Sequence, residues 1–247
     1  LRILGFSRDQ LRLVPTGDGL VMDVAALNSR IAADLAAGLR PFVAIATAGT
    51  TSTGAVDPMA EIRVVCDAHG LWMHVDGAYG ASARLSARAG GLLAGIELAD
   101  SLVIDPHKWW FQPYEIGCVL VRDSRLLKRA FAVEAEYLRE AQASGDGGEV
   151  AGLAGEVNFY DYGPQLTRSF RALKLWMFIE TFGIDAIRAA IEKGIALAEA
   201  AQAHIEAGTA WQIVTPAQLG ILTFRSRRPE GRTGAAIKAA VAGLIAD

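Results

Sequence analysis

Cysteine is scarce in this chain: only Cys66 and Cys118 occur in 247 residues. Both lie in apolar, periodic stretches, so a disulfide framework is not expected. Buried free thiols in a reducing compartment, the cytoplasm, are. An excess of charge is also missing. The 24 Lys and Arg nearly balance the 27 Asp and Glu, for a net charge of −3. Nothing here suggests nucleic acid as a partner, and Arg225-Ser226-Arg227-Arg228 reads as solvated loop. No stretch reaches ~18 uninterrupted apolar residues, so no membrane span is expected. P-loop, G-x-S-x-G and G-x-G-x-x-G patterns are absent, and no His/Cys/Asp cluster has metal-ligand spacing. What remains is apolar: 52% of residues are hydrophobic, enough for one sizeable core and part of a second.

The ends read as those of a fragment of a longer protein. Leu1-Arg2-Ile3-Leu4-Gly5 resembles a helix tail with a glycine stop. The stretch 235–244 is a helical pattern without a finish.

Between the ends, periodicity organises the chain. Arg12 to Val14 is a strand candidate. Asp23 is placed to cap a helix carrying Val24, Leu27, Ile31 and Leu35, stopped by Gly38. Pro41 to Thr47 reads as a buried strand, followed by the small polar loop 48–54. Asp57 and Pro58 open a helix that runs to about His69. Leu71 to Val75 and Ser101 to Ile104 are short apolar runs bounded by turn residues, the pattern of buried strands. Strands alternating with helices argue for an α/β fold with a largely parallel sheet. Ile116 to Val121 reads as another strand, whose short link from its predecessor suits an antiparallel or distant neighbour. Ser144-Gly145-Asp146-Gly147-Gly148 reads as a mobile loop. A helix over 168–182 is broken at Gly183 and resumes over 186–206. Strands at Ile213-Val214 and 221–224 belong to a smaller unit. The expected division is 1–167 and 168–247.

Two strand ends carry the chemistry. Asp76 closes the first, in His74-Val75-Asp76-Gly77-Ala78-Tyr79-Gly80. Lys108 follows the second, in Ile104-Asp105-Pro106-His107-Lys108-Trp109-Trp110. In open α/β sheets ligands bind at the carboxyl ends of strands. An amine and an acid delivered there suit pyridoxal 5′-phosphate (PLP), which needs a lysine for a Schiff base and an acid for its pyridine nitrogen. Most lysines are surface residues. Lys108, however, is flanked by His107 and two tryptophans, which would desolvate it and favour the neutral, nucleophilic amine. Asp76 would hold the ring nitrogen protonated; the ordinary alternative is a turn aspartate. His107 either donates to the phosphate or fills a gap beside Trp109. Thr50, Thr51 and Ser52 offer hydroxyls at a strand end. His69, His74 and His204 read as structural or surface residues, and His74 is expected to point away from Asp76.

These motifs resemble the signature of the group II PLP-dependent amino-acid decarboxylases. Residues 46–57 (ATAGTTSTGAVD) match that family's G-T-T segment. The similarity continues through Tyr137-Leu138 and 168–176 (RSFRALKLW). The resemblance implies a type I aminotransferase-like fold: a mostly parallel sheet flanked by helices, with part of a smaller C-terminal α/β domain. It also implies a homodimer acting on a small-molecule substrate, an amino acid. By position, Lys108 is the Schiff-base lysine and Asp76 the pyridinium partner. Ala78 lies under the ring, Thr51 is near the cofactor, and Asp105 and His107 line the phosphate side. Tyr137 matches a mobile-loop tyrosine that protonates Cα after carbon dioxide leaves.

Two departures stand out. Asp105 replaces an Asn of some members, a repulsive choice near phosphate unless His107 is protonated or Asp105 turns away. Gly77 replaces a common Ala, a mild change. The family's ring-stacking histidine and Ser/Ala phosphate segment would precede Leu1. The expected activity is decarboxylation of an L-amino acid. The rivals are an aldehyde synthase of the same family, in which Phe typically replaces the loop tyrosine, and a non-catalytic relative or scaffold.

Overall fold

The computed structural model describes residues 2–132 and 159–227. Helix α1 (Val24–Ala36) begins where expected: Ala26 N–H donates to Asp23 Oδ1 at 2.9 Å. It buries Leu27 and Ile31 and leaves Leu35 exposed. Strand β1 (Val43–Thr47) follows, then α2 (Met59–His69) and β2 (Trp72–Asp76). A crossover with short 3₁₀ turns at Gly80–Leu85 and Ile96–Leu98 leads to β3 (Ser101–Ile104). Strand β4 (Cys118–Val121) and α3 (Ser124–Phe131) complete this part.

The sheet order is β1-β2-β3-β4. β1, β2 and β3 are parallel and β4 is antiparallel, as the short β3–β4 link requires. In this register Thr47 lies beside Asp76, and Asp76 beside Val103. Three carboxyl ends therefore sit in a row.

The core lies between the sheet and α2. Met73 and Val75 of β2 are fully buried and meet Met59, Ile62 and Cys66 of α2, which project from one helix face. Arg63 of α2 pairs with Asp100 at 2.7 Å, and Asp100 also accepts from Met73 N–H, pinning the start of β3 to the sheet.

Three expectations change. Arg12 to Val14 form no strand; the chain there makes only an isolated bridge, Thr16 to Met22. β1 is buried on one face only, with Ala44 and Ala46 inside and Ile45 exposed. That outer face borders a groove of about 650 Å³ lined by Leu13, Ile31, Phe42 and Ile45. Asp57 does not cap α2. Its carboxylate instead accepts from Met22 N–H and Thr47 N–H, both at 2.7 Å. A buried charge needs donors, and these two backbone groups supply them.

Helix α4 (Arg171–Ala207) bends at Gly183, whose φ of 77° and ψ of 157° leave helical space. The sequence break was legible because only glycine adopts this conformation cheaply. Beyond the bend, Ile187, Ile191 and Ile195 form a buried stripe at intervals of one turn. Strands β5 (Trp211–Gln218) and β6 (Ile221–Ser226) form an antiparallel hairpin against α4. Among the described residues no helix is long and apolar enough to cross a membrane.

Candidate active site

Backbone hydrogen bonds carry the sheet past its last ladder residues. Gly77 N–H donates to the Val103 carbonyl at 3.1 Å, and Asp105 N–H donates to the Ala78 carbonyl at 3.0 Å. Ala48 N–H donates to the Asp76 carbonyl at 2.8 Å. The loops after β1, β2 and β3 are thereby stitched together. They carry Thr50 and Thr51, Asp76 and Ala78, and Asp105 to Lys108, so the structure gathers the sequence-predicted positions at one end of the sheet.

The loop after β3 is a tight, self-bonded turn. Lys108 N–H donates to the Asp105 carbonyl at 2.9 Å, Phe111 N–H to Lys108 at 3.2 Å, and Gln112 N–H to Pro106 at 3.1 Å. The tryptophans do not desolvate Lys108: its side chain is 40% exposed, with Nζ 3.0 Å from Asp105 Oδ2. Their positions around that turn leave Lys108 facing outward toward the acid. Asp105 thus turns to the amine. His107 Nδ1–H donates to the Ile116 carbonyl at 2.6 Å, and Nε2 lies 3.8 Å from Asp105 Oδ2. Its ring meets Tyr114 edge-on at 5.0 Å. The 107–116 segment is anchored further by Arg171, which pairs with Glu115, and by Lys174, which donates to the Pro113 and Glu115 carbonyls at 2.7 and 2.9 Å.

Asp76 is exposed. Its Oδ1 accepts from Ala78 N–H at 3.2 Å, and Oδ2 has no protein donor among the described residues. His74 does not point away from it. Residues two apart on a strand share a face, and Trp72, His74 and Asp76 all lie opposite the buried Met73 and Val75. Trp72 Nε1–H donates to Ser101 Oγ at 2.8 Å, and Ser101 Oγ meets His74 Nδ1 at 2.7 Å. An indole only donates, so every group is satisfied when Ser101 donates onward to Nδ1 and the ring proton sits on Nε2. Burial pushes the His74 pKa below its ordinary value, against the opposing pull of the Asp76 charge.

Thr50 is spent on its own loop: Oγ1 contacts Thr53 Oγ1 at 2.7 Å and accepts from Ala55 N–H at 3.0 Å. Thr51 and Ser52 are exposed. Gly77 is not a mild change. A Cβ there would lie 2.5 Å from Ala81 Cβ and 2.8 Å from Leu102 Cδ1. Tyr137 and the loop at 144–148 lie outside the described residues.

Sequence reasoning gave no role to Tyr79 or Ser101, and it cast Trp109 only as a desolvating neighbour of Lys108. Tyr79 and Trp109 rings pack at 4.5 Å, and burial pushes the Tyr79 phenol up to about 12. Their place inside the two motifs was the available signal for the aromatic pair. Ser101 carried none beyond starting a strand.

This arrangement holds the donor and acceptor groups that a protonatable heterocycle could use. It offers an accessible carboxylate oxygen on one strand end, an accessible amine on the next, and a small Ala78 between motif and loop. It has no crowding side chain at Gly77.

Comparison with known proteins agrees. Residues 2–227 match the family model described as the pyridoxal-dependent decarboxylase conserved domain. The chain is 44% identical over 225 residues to an aromatic-L-amino-acid decarboxylase of Bacillus atrophaeus, covering 91% of this chain and 45% of that one. The crystal structure of Oryza sativa TDC with PLP and tryptamine superposes with a TM-score of 0.84 at 31% identity, covering 98% of this chain and 49% of that one. Rhodiola rosea 4-hydroxyphenylacetaldehyde synthase superposes at 0.82 with 26% identity, covering 98% and 49%. The chain therefore spans about half the length of the relatives it matches. The fold is the type I, aminotransferase-like one that the motifs implied.

Proposed function

The chain belongs to the pyridoxal-dependent decarboxylase family, and from that premise we propose that its protein converts an L-amino acid to the amine and carbon dioxide through PLP held by Lys108. The observation that carries this reading is the joining of the Asp76 and Lys108 loops at adjacent strand ends, through Gly77 to Val103 and Asp105 to Ala78.

The family's cofactor is PLP, which when bound takes up the electron pair left behind as the carboxylate departs. The chain's own residues hold and polarise that chemistry. Lys108 supplies the amine for covalent attachment, and Asp105 orients it from 3.0 Å. Asp76 Oδ2, free of protein donors among the described residues, would accept the pyridine N–H and keep that nitrogen protonated. Ala78 would offer a methyl to the ring. Thr51 and His107 serve the phosphate side. Tyr137 gives a proton to Cα.

The partner we propose is a second copy of the chain. The first half of α4 exposes Leu173, Trp176 and Met177 on one side of the helix, apolar side chains of the kind a homodimer covers. The division into 1–167 and 168–247 is part of the same reading, as is a cytoplasmic location, with both cysteines unpaired.

The aldehyde-synthase reading is favoured by the Rhodiola neighbour and opposed by Tyr137. One experiment tests both. The natural-length protein is incubated with PLP, reduced with borohydride and peptide-mapped, and carbon dioxide and peroxide are assayed over an amino-acid panel. Label on Lys108 with carbon dioxide alone is expected. Peroxide in step with product would establish the synthase, and no label on Lys108 would remove the enzyme reading.

A further inference from the structure

The tip of the β5–β6 hairpin reaches across the molecule to the candidate site. Leu219 is only 4% exposed although it sits in a hairpin turn. Its φ of 57° is one that a branched L-residue adopts at a cost. Something must compensate, and the surroundings identify it. A Cβ at Gly49 would lie 2.8 Å from Leu219 Cδ1 and 2.9 Å from Gly80 Cα. A Cβ at Gly80 would again meet Leu219 Cδ1 at 2.8 Å, and would strike the Ala48 carbonyl oxygen. The Leu219 side chain therefore fills the junction where the loop after β1 crosses the loop after β2, and both loops are bare glycine where it enters.

The next residue meets the third loop. Gly220 N–H donates to the Tyr79 hydroxyl at 3.2 Å. A Cβ at Gly220 would lie 2.7 Å from Trp109 Cζ2 and 3.0 Å from the Tyr79 hydroxyl. Trp109 directly follows Lys108 and packs against Tyr79 at a tilt of 49°. Gln218 closes the set, because its carbonyl oxygen occupies the place a side chain at Gly54 would take.

We propose that Leu219 and Gly220 are positioning residues for the cofactor site: Leu219 wedges the Thr50–Thr51 and Ala78 loops into register, and Gly220 fixes Lys108 through the Tyr79–Trp109 pair. The hairpin contributes no reacting group. It determines where the amine stands relative to Asp76. This rests on the reading of Lys108 given above.

The test uses the natural-length protein with Leu219→Ala, Leu219→Met, Gly220→Ala and, as reference, Lys108→Ala. Three quantities are measured: the dissociation constant for PLP, the pH midpoint of the visible absorbance of bound PLP, and the near-ultraviolet circular dichroism of the cofactor-free protein. Leu219→Ala and Gly220→Ala are expected to weaken PLP binding about tenfold and to move the absorbance midpoint. They should also reduce the aromatic dichroism of the Tyr79–Trp109 pair while far-ultraviolet dichroism is kept. Leu219→Met, which preserves volume, should restore all three. If Gly220→Ala does not fold, the Leu219 pair decides alone. A Leu219→Ala protein with wild-type affinity and an unmoved midpoint overturns the proposal, as does failure of Met to restore them. Loss of the Lys108 label in the wild-type protein would instead overturn the reading beneath it.

Discussion

Lys108 Nζ stands 3.0 Å from Asp105 Oδ2, one turn earlier on the same loop. The pair is partly exposed, so its Coulomb energy is screened and adds about 0–1 kcal/mol to stability. Its value lies in aim. Asp105→Ala should leave the urea midpoint nearly unchanged, because the Asp105 N–H bond to Ala78 is backbone and survives. The rate at which colour develops on adding PLP should fall about tenfold. Unchanged kinetics would show that Asp105 does not orient the amine.

Gly77 has no room for a methyl group, with Ala81 and Leu102 already in that space. Gly77→Ala should cost about 1–3 kcal/mol by overpacking. Gly91→Ala, with nothing within 4 Å of its added carbon, should stay within about 0.5 kcal/mol. Urea unfolding of the two variants side by side checks the contrast.

Asp57 is 9% exposed and accepts two backbone N–H groups, from Met22 and Thr47. Asp57→Ala strands both donors in the interior and should destabilise the fold by about 3 kcal/mol. Asp57→Asn keeps one acceptor oxygen and should lose roughly half as much. Helix α2 itself should persist in both, since Asp57 is not its cap; circular dichroism below the unfolding transition tests that.

His74 has its pKa lowered by burial from an ordinary value of 6.5. In the window between the lowered value and 6.5, the unfolded chain binds a proton that the folded chain refuses. Stability therefore rises with pH across that window and falls as the solution is acidified through it. His74→Gln removes this contribution. Unfolding free energies at several pH values from 5 to 8 should show a shallower slope for the variant than for wild type. Equal slopes would mean that His74 titrates alike in both states.

Much of the site could be read along the chain because its residues sit at strand ends, which announce themselves locally. A short apolar run closing in Asp76, and another followed by Lys108, needed only the period of a buried strand and the turn residues that bound it. The α1 cap at Asp23 and the break at Gly183 were legible for the same reason: a capping side chain or a left-handed backbone is a property of a few adjacent residues. Asp57 misled because its neighbourhood looks like a helix start, while its donors come from Met22 and Thr47, distant in sequence. Lys108 misled in the same way. The adjacent tryptophans suggested burial, but the turn directs them elsewhere.

By itself, then, the order of residues determined most element types, the parallel sheet and the family, and it singled out the candidate amine and acid, since these follow from local periodicity and motif chemistry. Only the tertiary structure decided that Asp57 takes its donors from Met22 and Thr47, and that Leu219 fills the gap beside Gly49 and Gly80. Those contacts join segments separated by up to the greater part of the chain, and close packing is settled by which surfaces meet, not by which residues are neighbours along the backbone.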